Sequence, residues 1–194
     1  MLVVLAVFAY LFGAIPTGLL LTRWLGKEDI RKVGSGNIGA TNVYRVAGRK
    51  LGIVTLIGDC LKGVIPVILA QQAFDMAGTS LALVALAAFV GHCFPVYLGF
   101  KGGKGVATAL GIFLVLSPLA VLTVLVVFVL FLWRWHYISL ASIAAATAIA
   151  PAVYLTTGSW PIFIVALVIA AIVIWRHKDN LRRLLNGTEN RFSF

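Results

Sequence analysis

The sequence predicts an all-α membrane protein. It reads as a polytopic bundle of seven transmembrane helices, N-terminus outside and C-terminus cytoplasmic, with short interfacial helices or loops on the cytoplasmic side. Three observations carry this. The 194 residues are 61% hydrophobic and only 11% charged, with a mean hydropathy of +1.04, whereas soluble domains are roughly 45–50% apolar and about 25% charged. Apolar runs of about 20 residues, enough to cross hydrocarbon, recur along the chain. The net charge of +10 is gathered in the breaks between those runs, as cytoplasmic loops of membrane proteins gather Lys and Arg. A single integral membrane domain over residues 1–194 is expected.

Leu2–Thr22 is the first expected span. No charge precedes Arg23, so the run lacks the basic n-region of a signal peptide and reads as a retained helix entering from outside. The segment Arg23–Lys50 follows with seven basic residues: Arg23, Lys27, Arg31, Lys32, Arg45, Arg49 and Lys50. Leu51–Ala70 and Thr79–Leu98 are the second and third spans. The stretch between them, Gln71–Gly78, holds Asp75 but no Lys or Arg and is placed outside. Gly105–Trp133 carries no charge and is either one long tilted helix or two short ones broken at Ser117-Pro118. Ser139–Leu155 and Trp160–Trp175 close the series, separated by Thr156-Thr157-Gly158-Ser159.

Charge decides between six spans and seven. Without the break at Ser117-Pro118, Arg134, Arg176, Lys178, Arg182, Arg183 and Arg191 fall outside. With it, all of them join Lys101 and Lys104 inside, as the positive-inside bias prefers, and the fourth span is unusually short. Inside the second span, Asp59 and Lys62 stand three apart on one helical face. A mutual ion pair is the favoured reading, because an unpaired charge at mid-bilayer costs roughly 2.5–3.5 kcal/mol on insertion scales; a proton or ion relay is the alternative. Cys60 and Cys93 are isolated in apolar stretches and suggest neither a disulfide framework nor a zinc site.

Four inside segments hold the chemistry. "GSGNIGATNVYR", Gly34–Arg45, opens with G-x-G-x-x-G, but a dinucleotide fingerprint needs a preceding strand and a βαβ unit. Arg31-Lys32-Val33 is too short and polar for such a strand, and Asp59, at the spacing of the ribose-binding acid, lies in a membrane helix. The expectation is instead an anion nest: Gly34, Gly36 and Gly39 at positive φ, gathering N–H groups. Ser35, Asn37, Thr41 and Asn42 add neutral hydrogen-bonding groups, and Arg45 a phosphate-binding fork. "GHCFPVYLGFKGGKGVAT", Gly91–Thr108, contains His92 and is not a P-loop, since Leu98 and Gly105 occupy the positions that need Gly and Ser or Thr. Lys101, Gly102, Gly103, Lys104 and Gly105 are expected to set two ammonium groups beside exposed N–H groups at a helix N-terminus, again suiting phosphate.

The third segment, Trp133-Arg134-Trp135-His136-Tyr137, reads throughout as an interfacial aromatic belt. Just beyond it Ser139 and Ser142 share a helix face, and Ser142, the deeper, is the better donor to a substrate oxygen. In the tail, Leu181, Leu184 and Leu185 follow helical spacing opposite a basic face, describing a helix that lies in the interface. His177 and Asn180, three apart, face one way; Gly187 is a helix stop, and Glu189 an end-anchor through a basic partner. No dense acid cluster offers a metal site, so neither a metal nor any other cofactor is expected.

These blocks resemble a known family. "GSGNIGATN" with Arg45, "GHCFPVYLGFKGGKGVAT" and "HKDNLRRLLNGTE", with Asp59, Lys62 and Gly63, are similar to the signatures of the bacterial acyl-phosphate:glycerol-3-phosphate acyltransferases, matching in order from Gly34 to Glu189. One departure is Lys178, where the family commonly has Arg after the His. The resemblance implies a multi-pass enzyme of the bacterial cytoplasmic (inner) membrane with its active site facing the cytoplasm. It would acylate the 1-hydroxyl of glycerol 3-phosphate from acyl phosphate, giving 1-acyl-glycerol 3-phosphate (lysophosphatidate) and phosphate, the first step of phospholipid synthesis. Acyl-CoA and acyl carrier protein are not expected donors, and the His-x4-Asp dyad of soluble-headed glycerophosphate acyltransferases is absent: Tyr97, Ala141 and Arg182 stand five beyond His92, His136 and His177.

The expected catalytic set is Ser35, Asn37, Arg45, Lys104, His177 and Asn180. The expected substrate-binding set is Gly36, Thr41, Asn42, His92, Lys101, Gly102, Gly103 and Ser142. Arg45, Lys104 and the glycine loops hold two phosphorylated substrates, and Lys104 or loop N–H groups stabilise the oxyanion. No convincing general base is visible, so a substrate phosphate oxygen takes the proton, with His177 the protein alternative. The expected partners are the two substrates and membrane lipid, with no nucleic acid and no nucleotide, and the chain is expected to be a monomer. Two other classes fit parts of the pattern: a transporter for a phosphorylated solute, although no internal repeat is evident, and a non-catalytic lipid-binding membrane protein.

Overall fold

The computed structural model describes residues 1–192. Among them are ten α-helices and no strand: α1 (Leu2–Gly13), α2 (Thr17–Trp24), α3 (Ala40–Ala47), α4 (Arg49–Ile68), α5 (Gly78–Cys93), α6 (Val106–Leu116), α7 (Pro118–Trp135), α8 (Ile138–Thr157), α9 (Trp160–Arg176) and α10 (Lys178–Leu185). A π-helical turn, Leu69–Ala73, extends α4, and a 3-10 turn, Val96–Leu98, follows α5. The chain forms two compact units, one over residues 1–115 and one from residue 116 onward.

In the first unit α1 packs on α5, and α4 packs on α5, α1 and α2. Bare backbone makes the closest of these contacts. A Cβ at Gly13 would strike the Ala88 carbonyl, and one at Gly91 the Tyr10 carbonyl; small residues let membrane helices approach in this way. Gly63 sits against the Thr108 carbonyl and Ile112, and Gly111 against the Cys60 carbonyl, which brings α6 onto α4. The Tyr10 hydroxyl donates to the Phe94 carbonyl at 2.8 Å, tying α1 to the chain leaving α5. In the second unit α8 packs between α7 and α9. There Thr156 donates back to the Ala152 carbonyl at 2.8 Å, so Ser117, 2.7 Å away, is the donor between the two hydroxyls.

The expected spans are found as helices, with differences that have local causes. Over Leu2–Thr22 the chain is not one straight helix, because Pro16 separates α1 from α2, which meet at 43°. Proline has no N–H to give and clashes with the preceding turn. The Ser117-Pro118 break is present, with Pro118 in the first turn of α7, where its missing donor costs nothing. That leaves α6 with 11 residues, about 16 Å at 1.5 Å per residue, against about 30 Å of hydrocarbon. Four helices are long and apolar enough to cross a membrane, or up to six if each bent pair counts as one. Only 17% of the most apolar stretch of α7 is buried, and Leu119, Leu122, Val126, Val129 and Leu130 all point outward. Such a surface requires lipid rather than water as its solvent, and the chain is a multi-pass membrane protein.

The Gly63 contact admits a direct test. A Cβ there forces backbone apart, so Gly63→Ala should lower stability by about 1–3 kcal/mol, the usual cost of overpacking. The measurement is the thermal unfolding midpoint in detergent; an unchanged midpoint contradicts the contact.

Candidate functional site

The loop preceding α3 is held by a small core. Ile30, Leu19 and Val43 are fully buried and Ile38 nearly so, with Leu51 and Leu98 packed against them. Asn42, 1% exposed, organises the chain above that core. Its Oδ1 accepts from the Ser35 N–H at 2.8 Å, while its Nδ2 donates to the Ile30 carbonyl at 2.9 Å and the Val33 carbonyl at 3.2 Å. The Asn42 side chain thus shapes the loop that carries Ser35. At the loop's start, hydrogen bonds from the Arg31 side chain and backbone hold the Asp29 carboxyl far below the usual carboxylate range.

The nest expected here is corrected. Gly34 and Gly36 have φ of +63° and +69° as predicted, but Gly39 has an ordinary φ of −79°. The Gly39 N–H donates to Asn37 Oδ1 at 2.9 Å, and the Gly36 N–H to the Val33 carbonyl at 3.1 Å. These amides close turns rather than open toward an anion. Ser35 and Arg45 are exposed and Thr41 half-exposed. One turn apart, Thr41 and Arg45 share the face of α3 opposite buried Val43.

The second glycine segment folds back on the end of α5. Gly99 and Phe100 both take left-handed backbone, φ +58° and +63°, and reverse the chain. Phe100 is a non-glycine residue in a sparsely populated region, a strain of order 1–3 kcal/mol. The Gly102 N–H then donates to the Cys93 carbonyl and the Gly103 N–H to the His92 carbonyl, each at 3.2 Å. Both glycines are buried. A side chain at Gly102 would hit the His92 carbonyl, and one at Gly103 the His92 ring. These glycines serve close approach rather than the exposed N–H groups expected of them. Lys101 is exposed and Lys104 half-buried.

Leu98, packed on the Ile30–Ile38–Val43 core, brings the two glycine segments to the same end of the first unit. Beneath the second lies a buried polar cluster. Lys62 Nζ is 2.6 Å from Asp59 Oδ1, as the ion-pair reading expects. His92 Nδ1, on α5, is 3.9 Å from the same oxygen, a neighbour that linear spacing does not reveal.

In the second unit Glu189 is a hub. It is 8% exposed and accepts from Ser139 Oγ at 2.8 Å, Asn180 Nδ2 at 2.6 Å and Arg183 Nε at 2.7 Å. Burial opposes its charge, but the donors Asn180, Arg183 and Ser139 win and hold its carboxyl below the ordinary value. The basic anchor expected for it is Arg183; Ser139 and Asn180 are partners that sequence spacing missed. His177 is buried, with Nδ1 2.8 Å from the Val173 carbonyl. A carbonyl only accepts, so Nδ1 carries the proton and Nε2 is the basic nitrogen of the neutral ring. Ser142 donates back to the Ile138 carbonyl at 2.8 Å, so its hydroxyl proton is engaged within α8. In the aromatic segment, the Trp135 ring lies 5.4 Å from the Arg134 guanidinium. The His136 carbonyl accepts from the Phe192 N–H at 2.6 Å, and the Tyr137 hydroxyl from Arg191 at 3.2 Å, so both hold the tail. Leu181 and Leu184 are half-buried on α10, while Leu185 is exposed.

Comparison with known proteins extends this picture. A family model described as glycerol-3-phosphate acyltransferase matches residues 3–187. Proteins named glycerol-3-phosphate acyltransferase from Syntrophotalea carbinolica and Aquifex aeolicus are 62% and 45% identical to this chain, over 95% and 97% of it and 94% and 97% of their own lengths. Two crystal structures of an integral membrane glycerol 3-phosphate acyltransferase are similar throughout. The glycerol 3-phosphate form has a TM-score of 0.94 at 41% identity, covering 99% of this chain and 96% of that one. The lysophosphatidic acid form has a TM-score of 0.91 at 40% identity, covering 99% and 95%.

The Glu189 hub carries a pH dependence of definite sign. A carboxyl held low in the folded state stabilises above its ordinary value of 4.5 and loses that contribution as pH falls toward the folded value. The protection of residues 180–192 against hydrogen exchange, taken relative to the intrinsic exchange rate at each pH, should therefore be unchanged from pH 8 to about pH 5 and fall below it. In Glu189→Gln the same segment should exchange fast at every pH; equal protection in the two proteins at pH 7 contradicts the hub.

Proposed function

Because the chain belongs to the glycerol-3-phosphate acyltransferase family, we propose that it takes its acyl group from acyl phosphate. It transfers that group to the 1-hydroxyl of glycerol 3-phosphate, yielding 1-acyl-glycerol 3-phosphate and inorganic phosphate. The observation that carries this reading is the packing of Leu98 on the core beneath Ile30 and Ile38, which gathers Arg45 and the Lys101–Lys104 segment at one end of the first unit. Both reactants carry a phosphate, and gathered cations answer both. The relatives are acyltransferases, so the alternative of a phosphorylated-solute transporter has no comparable support.

The division of labour follows from what each residue offers. Arg45 presents a planar fork to one phosphate, with Thr41 on the same helix face and Ser35 in the loop that Asn42 and Asn37 keep in shape. Lys104, with Lys101 nearby in sequence, neutralises the acyl phosphate and the oxyanion that forms when the glycerol oxygen attacks the carbonyl carbon. The carbon–oxygen bond to phosphate then breaks, and phosphate leaves. A substrate phosphate oxygen, with a second pKa near 6, takes the hydroxyl proton. His177 through Nε2 and Asn180, whose amide nitrogen is fixed by Glu189, orient the glycerol hydroxyls. Ser142 accepts a substrate hydrogen bond while its own proton stays with Ile138. Gly36, Gly102 and Gly103 contribute by leaving the approach unobstructed, and His92 by supporting Gly103.

The same reading sets the topology. Counting α1 with α2 as one span and α6 as a short one, the chain crosses the bacterial inner membrane seven times, N-terminus outside and C-terminus in the cytoplasm. Residues 1–194 act as one domain and as a monomer, with α3 and α10 at the cytoplasmic interface. The clustering of Lys and Arg in the loops of that side supports this.

Purified protein given acyl phosphate and glycerol 3-phosphate should release one phosphate per lysophosphatidate formed, and should give no product from acyl-CoA. Phosphate release without lysophosphatidate, or product from acyl-CoA alone, overturns the donor assignment. Arg45→Ala and Lys104→Ala should each lower kcat/KM on the order of 10²–10³-fold while the protein elutes as wild type. In His177→Ala the acidic limb of the pH–rate profile should persist near pH 6; its disappearance would make the histidine the base.

A further inference from the structure

Apart from the support His92 gives Gly103, the buried cluster beneath the second glycine segment takes no part in the chemistry just described, yet it is costly to keep. An ion pair inside a protein is often no more stabilising than apolar residues of the same volume, so stability alone does not account for Asp59 and Lys62. Their surroundings offer a reason. Asp59 Oδ1 lies 2.6 Å from Lys62 Nζ on its own helix and 3.9 Å from His92 Nδ1 on α5. All three side chains are at least 95% buried. The far edge of the His92 ring, Nε2 with Cε1 and Cδ2, is what a Cβ on Gly103 would meet, and the His92 carbonyl accepts the Gly103 N–H at 3.2 Å. Four residues beyond Lys104, Thr108 Oγ1 donates to the Asp59 main-chain carbonyl at 2.9 Å.

Lys104 is thus bracketed. The residue before it rests on the His92 ring, whose Nδ1 lies 3.9 Å from the Asp59 carboxylate, and the helical turn after it is pinned to the Asp59 backbone. Resting on the acyltransferase reading above, we infer that Asp59, Lys62 and His92 are positioning residues that fix where the Lys104 ammonium stands. Lys62 fixes the Asp59 carboxylate, the carboxylate stands against Nδ1 on one edge of the His92 ring, and the other edge of that ring backs Gly103. The α4–α6 contact at Gly63 keeps Thr108 in register with Asp59. A reacting group displaced by about 1 Å costs on the order of 10²-fold in rate, so a device that touches no substrate still controls turnover.

The test is a double-substitution cycle in the purified full chain, assayed with acyl phosphate and glycerol 3-phosphate. Asp59→Asn and His92→Gln should each lower kcat/KM on the order of 10- to 100-fold while eluting as wild type. Each should also shift the same parameter, KM or kcat, that Lys104→Ala shifts. In the Lys104→Ala background the same substitutions should change the residual rate less than about twofold, since residues acting as a unit are not additive. Full multiplicative losses in that background overturn the inference. So does a fall in folded yield with unchanged activity per folded molecule, because that is a purely structural role. Should Asp59→Asn not fold, Gly103→Ala, which disturbs the ring contact and leaves the ion pair intact, enters the same cycle with the same expected and contrary outcomes. A wild-type protein that forms no lysophosphatidate from acyl phosphate refutes the donor assignment instead, and is distinguished from failure of the positioning device by needing no variant.

Discussion

Helices surrounded by lipid gain little from burying apolar side chains against one another, because the solvent is as apolar as the side chains. Association then depends on how closely backbones approach, and in the first unit that closeness is supplied by glycine. Gly13 on Ala88 and Gly91 on Tyr10 fasten α1 to α5, and Gly63 on Thr108 with Gly111 on Cys60 fasten α4 to α6. The same device shapes the second loop, where Gly102 and Gly103 lie on the last turn of α5. A Cβ at any of these points but Gly103 meets backbone rather than a pliant side-chain end, and at Gly103 it meets the buried His92 ring. The helices that span lipid and the loop that carries Lys104 are therefore set by one kind of contact, and the loop's position follows from the bundle's.

Close backbone contact leaves the loops themselves without regular structure, and buried polar hubs hold them. Asn42 ties together three points of the first loop, Asp59 joins α4 to α6, and Glu189 gathers Ser139, Asn180 and Arg183. A polar group out of water costs heavily when unpartnered, so each hub penalises any loop conformation that breaks its bonds. Irregular backbone near a membrane is stable for this reason: its alternatives are worse.

Much of this was legible in residue order and some was not, along a physical line. Span positions, the break at Ser117-Pro118, the Asp59–Lys62 pair and the Glu189–Arg183 anchor come from local properties: apolar length, proline's missing donor, and spacings of three to six residues. The bend at Pro16 is equally local, but the uniformly apolar run around it gives no sign of a break. What residue order concealed is long-range. Asn42 meets Ile30 twelve residues away, His92 meets Asp59 from another helix, and Ser139 meets Glu189 across fifty residues. The nest readings at Gly39, Gly102 and Gly103 failed for a related reason. A glycine in a polar loop signals conformational freedom or close approach with equal force, and only the identity of the approaching neighbour, here Asn37, His92 and Cys93, separates the two.

The way the loops are held also bears on how the reaction is accelerated. With acyl phosphate as the proposed donor, an activated mixed anhydride with a good leaving group, a strong base or nucleophile from the protein is not what the reaction lacks. What opposes it is the meeting of two anions, whose mutual repulsion and loss of freedom must be overcome before the carbonyl can be attacked. Cations answer the repulsion, but a lysine on a four-carbon stem is mobile, and a mobile charge lowers the barrier less than one already in place. Glycines buried against His92, a left-handed turn at Phe100 and a threonine pinned to Asp59 restrict the backbone on both sides of Lys104. Rigidity that serves no obvious need in a surface loop is, under the positioning role inferred for Asp59, Lys62 and His92, the form that rate acceleration takes.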